Sequence, residues 1–220
     1  MFKLTRRNLV SSAIAGTAAF AQNPETQPPL AADLVREFVG KSHTDLDPVR
    51  EMVKRQPRLV YASQDWGAGD WETGLNASSH MGRRDIAGFL LDSGARPDAP
   101  AVFMLGLTAT AKAMMTAFPD LHKVPGAHGI PLLTHAIVGK QPAFEVFQML
   151  IAAGADVNAA AWRGAPTPLS AAVTSEHIEA VRVLLEHGAD RWARNPAGQT
   201  MLEIAKKRNL SSIAALLEKI

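Results

Sequence analysis

Seven histidines, four tryptophans and no cysteine set the chemistry open to this chain of 220 residues. Without cysteine there are no disulfides, no thiolate zinc site, no cysteine nucleophile and no lipid-modified N-terminal cysteine. Histidine remains as ligand and proton carrier. His122 and His128 fall in the Pro- and Gly-containing stretch of residues 119–129, and His135 follows shortly after. With Asp120 nearby they are the set whose proximity invites a metal or small-ligand site, although their spacing follows no ligand motif. The other histidines read as structural. His187 closes an apolar run, where a donor suits the free carbonyls of a helix end; His43, His80 and His177 stand near turns between helices, and His43 and His80 have no partner in sequence. Ser170 sits in Thr-Pro-Leu-Ser rather than a Gly-x-Ser-x-Gly elbow, and Gly67-Ala68-Gly69 reads as a turn, not a phosphate cradle. No catalytic residue and no cofactor are expected, so the chain reads as a non-enzyme.

Charge narrows the class further. The chain has 23 basic and 21 acidic residues, but Lys3, Arg6 and Arg7 belong to an N-terminal stretch without acids. The rest holds 20 of the basic residues against all 21 acidic ones, which is no nucleic-acid footprint. Residues 1–21 run from a basic start through a mildly apolar zone to Ala19-Phe20-Ala21, the layout of a secretory signal cleaved after Ala21. Thr5-Arg6-Arg7-Asn8-Leu9 resembles the twin-arginine signal, which exports folded proteins, with Val10 where that family carries Lys. Residues 22–32, with Pro24, Pro28 and Pro29, then read as a tether. The expectation is a bacterial periplasmic or secreted protein whose mature chain neither inserts in a membrane nor carries a lipid anchor.

Internal repetition organises the remainder. Gly154-Ala155-Asp156 and Gly188-Ala189-Asp190 begin 34 residues apart, and Thr167-Pro168-Leu169-Ser170-Ala171-Ala172 leads into the second. Thr73-Gly74-Leu75 reaches Gly94-Ala95 in the same 22 steps that separate Thr167 from Ala189. Further copies open at Pro131-Leu132, with about three extra residues around 139–142, and at Thr200-Met201-Leu202. Two degenerate copies cover about 30–58 and 98–119. Period and motif resemble the ankyrin-repeat family. The resemblance implies an all-α solenoid of about six helix-turn-helix repeats over residues 33–220, with polar caps at both ends.

Each residue type has a mechanical reason. Proline is tolerated in a first helical turn and the preceding Thr can cap it, so a helix starts at Thr167. Small alanines let helices approach, and glycine past the second helix takes a left-handed conformation cheaply. In the family, hairpin-like fingers join successive helix pairs and line a concave face that binds protein partners. On that scheme all four tryptophans are finger residues. Trp66, Asp70, Trp71, Trp162, Arg163, Trp192 and Arg194 are then the expected partner-binding residues, since aromatics and Arg anchor interfaces. The competing role for these indoles is packing on a neighbouring finger. The functional expectation is an exported protein-binding module with an unidentified protein partner. The alternative is a periplasmic accessory protein that binds a metal or small ligand through His122, His128 and His135.

Overall fold

The computed structural model describes residues 27–162 and 166–219. The export signal, residues 22–26 of the tether and Arg163 lie outside them.

Helix starts follow the capping chemistry. Thr73, Asp98, Thr167 and Thr200 each accept the backbone N–H three residues on, from Asn76, Ala101, Ser170 and Glu203. Glu203 returns the bond to the Thr200 N–H, closing a capping box. Each cap stabilises its helix by about 1 kcal/mol. Pro100 and Pro168 occupy first turns, where a missing N–H costs nothing.

Six consecutive helix pairs result among the described residues: α1 (Ala32–Ser42) with α2 (Leu46–Arg55), α3 (Gly74–His80) with α4 (Arg84–Asp92), α5 (Ala99–Leu105) with α6 (Thr108–Ala117), α7 (Leu132–Val138) with α8 (Phe144–Ala152), α9 (Pro168–Thr174) with α10 (Ile178–Glu186), and α11 (Met201–Lys207) with α12 (Ser211–Glu218). The first helices form a row, α1 on α3 on α5 on α7 on α9 on α11, and α2–α4, α6–α8 and α10–α12 pack alongside. This is the repeat solenoid expected, because one amphipathic pair hides its apolar face only against the next. The extra residues after α7 form a short 3-10 turn, Gln141–Ala143.

The apolar interior forms two clusters that meet at α5. Ala101 and Met104 face the N-terminal cluster around Phe38, Ile86 and Leu90; Val102 and Phe103 face the C-terminal one around Leu133, Phe147 and Leu184. Gly106, which ends α5 at φ +67, seals the junction: a Cβ there would strike the Pro142 carbonyl. Glycine alone fits that close approach in a left-handed conformation.

Hairpin loops precede the first helices. β1 (Ser63–Asp65) pairs antiparallel with β2 (Trp71–Thr73) around the Gly67-Ala68-Gly69 turn, whose three residues all have positive φ. Single bridges close two further loops, Pro125 to Pro131 and Arg194 to Thr200.

Candidate functional site

Alternation along β2 begins the site. Successive strand residues point to opposite faces, so Trp71 is turned to solvent while Glu72, with no exposed surface, is turned inward. Three histidines from three other segments meet it. His43 caps the end of α1, His80 is the last residue of α3, and His128 lies in the 3-10 turn Ala127–Gly129. Around Glu72 Oε1 the Nε2 atoms of His80, His128 and His43 lie at 2.8, 3.3 and 3.4 Å. These four atoms all fall within 4.8 Å of one another.

Outer contacts fix each member. The Trp66 indole N–H donates to Glu72 Oε2 at 2.8 Å, leaving Oε1 to face the imidazoles. His43 Nδ1 bonds the Val39 carbonyl at 2.9 Å. Asp70, itself buried, holds His128 twice: Oδ1 accepts its backbone N–H at 2.8 Å and Oδ2 meets ring Nδ1 at 2.7 Å. His128 has φ 58, a left-handed conformation uncommon for a residue with a side chain. Asn76 supports the same turn, its side-chain carbonyl accepting the Ala127 N–H while its amide donates to Asp98. The rings of His43, His80 and His128 pack edge to face, with centroids 4.9 and 5.6 Å apart.

Electrostatics follow from burial against pairing. Burial opposes ionisation of Glu72, but hydrogen bonds from His43 and His80 and their charges outweigh it, holding the carboxyl far below the usual carboxylate range. Burial would lower His43 as well, yet the bond to Glu72 and its charge hold that imidazole above its ordinary value. His135, fully buried behind His80, behaves oppositely: burial, with the His80 charge, pushes it down to about 3, so it stays neutral at physiological pH.

A groove of about 810 Å³ opens beside the cluster. Asp70, His80, His128, Lys140, Trp162 and Thr174 are among the residues that line it. Trp162 also lies flat against Gly129, where a Cβ would meet its ring.

The histidines expected to act together are divided. His128 is a member of the cluster, His135 sits behind it out of the ligand set, and His122 lies on a separate turn, Pro119–Lys123, bonded to the Pro119 carbonyl. Conversely His43 and His80, which lack partners in sequence, share one in space. Sequence reasoning passed over both, together with Glu72; the only local hint was the alternation in Asp70-Trp71-Glu72-Thr73. His177 is buried against Phe144, and His187 donates to the Val183 carbonyl at 2.8 Å, both structural as expected.

Trp71, Trp162 and Trp192 are 59, 53 and 69% exposed. Trp66 is half-buried and Asp70 is buried, both occupied by the cluster. Arg194 is exposed at the last bridged loop, near Glu203 at 3.9 Å.

Residues 132–220 match the family model described as ankyrin repeats in three copies. This part of the chain is similar to ankyrin repeats. They coincide with the last three helix pairs, α7 to α12. A stretch of 64 residues is 39% identical to ankyrin repeat and SOCS box protein 11 of Danio rerio, covering 29% of this chain and 21% of that protein. The chain thus spans about a fifth of that relative's length. Ankyrin repeats generally mediate protein–protein interaction. No helix among the described residues is long and apolar enough to cross a membrane.

Proposed function

We propose that this chain is an exported protein-binding module that grips its partner through the finger tips and the groove beside them. One observation carries the reading: three indoles, Trp71, Trp162 and Trp192, lie open to solvent on the loops before α3, α9 and α11 of the repeat row. Large exposed aromatics contribute nothing to the core they leave, whereas they are enriched where proteins meet. Trp162 and His128 both line the groove, so a segment entering there meets an apolar ring and polar groups, Lys140 among them. The partner is expected to offer apolar side chains to the indoles. The twin-arginine-like signal supports export of the already folded repeats to a bacterial periplasm, with Gln22 as the mature N-terminus.

The test replaces Trp71, Trp162 and Trp192 together by Ala. Capture of partner protein by the immobilised chain, from a periplasmic extract of the producing bacterium, should fall by more than ~10-fold, as loss of anchor residues does. The thermal midpoint should fall only slightly, since Trp71 and Trp192 are mostly exposed and only Trp162 gives up packing, on Gly129. Undiminished capture by the triple variant rejects the indoles as the binding surface. Sequencing the N-terminus of the periplasmic protein checks the export in the same preparation.

A further inference from the structure

We propose that Nε2 of His43, His80 and His128 and Oε1 of Glu72 bind one divalent transition-metal ion, zinc in first place, as a clip across four separate segments of the chain. The inference is independent of the protein-binding reading, and neither depends on the other's outcome.

Hydrogen-bond accounting carries it furthest. A neutral imidazole has one N–H and one lone pair. His43 directs Nδ1 at the Val39 carbonyl and His128 directs Nδ1 at the Asp70 carboxylate, so in both rings the proton belongs on Nδ1. In the neutral rings their Nε2 atoms therefore bring lone pairs to Glu72 Oε1, itself an anionic oxygen, and only as imidazolium do they donate to it. Trp66 has taken Oε2, so the carboxylate cannot turn the crowded oxygen away without losing that bond. Lone pairs converging on a buried carboxylate oxygen repel unless a positive charge sits among them. Protonated rings supply that charge in the metal-free protein; a metal ion supplies it with the Nδ1–H tautomers of His43 and His128 kept, and displaces the proton that His80 Nε2 gives to Glu72.

Distances agree. Four donors at zinc bond lengths of about 2.05 Å around a tetrahedron lie about 3.3 Å apart. The His128 and His43 separations from Glu72 are 3.3 and 3.4 Å, and His80 at 2.8 Å needs only a small outward shift. Three imidazoles and one carboxylate suit zinc or a neighbouring transition ion, whereas magnesium and calcium take oxygen ligands. Metal-bound histidines characteristically pass their other nitrogen to a carboxylate or backbone carbonyl, which fixes ring and tautomer. Asp70 and Val39 stand in those places. The left-handed backbone of His128, pinned by Asp70 and by Asn76 through Ala127, is strain of the kind retained where a side chain must be aimed.

Four protein ligands make a closed, structural site. It would join the end of α1, β2, the end of α3 and the turn before α7, fixing the hairpin loops of the N-terminal half at the edge of the groove.

The test uses the untagged full-length chain, stripped with a chelator and titrated with Zn²⁺ alone in a calorimeter. One ion per chain should bind with a Kd tighter than ~1 µM, in the range of structural sites. Glu72→Gln or His80→Ala should weaken binding at least ~100-fold, and Asp70→Asn about 10-fold through loss of ring support. His122→Ala should leave it unchanged. Should the ligand variants fail to fold, Co²⁺ on the wild type decides: an intense visible band reports four-coordinate binding. Binding of well under one ion per chain, equal binding by folded Glu72→Gln, or a pale six-coordinate Co²⁺ spectrum overturns the proposal.

Discussion

The two halves of the solenoid use the same helix pairs and hold them by different means. From α7 onward the interior is aliphatic and alanine-rich: Leu133, Ala136, Leu169, Ala172, Leu184 and Ala205 are buried against one another. In the N-terminal half, charge and hydroxyl groups enter the same layer. Of the nine buried polar residues among those described, five lie before α7, from Ser42 to Ser79, and two more, Thr134 and His135, lie on α7 at the boundary. Ser42 and Ser79 satisfy themselves on carbonyls one turn back, but Glu72 needs partners from three other segments. A repeat row can thus be regular where apolar packing alone carries it and specialised where a polar cluster replaces part of that packing. The match to ankyrin repeats covers the regular half, from residue 132 on.

That contrast can be broken from either side. Leu184→Ala in α10 empties a fully buried site and should cost about 3 kcal/mol, by transfer plus cavity terms. Chemical unfolding should give the same loss at pH 5.5 and pH 8, since no titrating group is touched. Glu72→Gln in the chelator-treated protein should cost about 2 kcal/mol, and its cost should depend on pH. His43 has a raised pKa in the folded state, so its pairing with Glu72 stabilises the fold fully below the ordinary imidazole value of 6.5 and fades as pH rises through the folded value. Glu72, held low, contributes above its ordinary value of 4.5 and loses that only in stronger acid. The variant should therefore differ most from wild type between those two values and less at pH 8.5. A pH-independent difference would place Glu72 with the purely packed residues.

A third expectation concerns the neutral imidazole behind the cluster. His135 remains neutral down to about pH 3 when folded but takes a proton below about 6.5 when unfolded. The unfolded chain then binds more protons, so wild-type stability falls on acidification, by about 1.4 kcal/mol for each pH unit in that window. His135→Leu removes this term. At pH 7.5 the two proteins should unfold within about 1 kcal/mol of each other, and the variant should gain on wild type as the pH is lowered to 5. Parallel acid profiles would show that His135 is protonated in the folded protein.

Local signals accounted for most of the architecture. Thr167 before Pro168, Gly154 and Gly188 at 34-residue spacing, and the extra residues near 139–142 are short-range features. Helix starts, left-handed stops and insertions depend on a few neighbouring residues, so they can be read in one dimension. Exposure of Trp71, Trp162 and Trp192 followed from the same register. The meeting of His43, Glu72, His80 and His128 had no such signal. Those residues lie up to 85 positions apart, and each taken alone is an ordinary helix-end histidine or strand glutamate. Their convergence depends on how far each repeat steps past the last and on the turn that bends His128 back over β2. Those quantities come from packing at α5 and from Asp70 and Asn76 reaching across the chain, interactions that exist only once the helices are stacked.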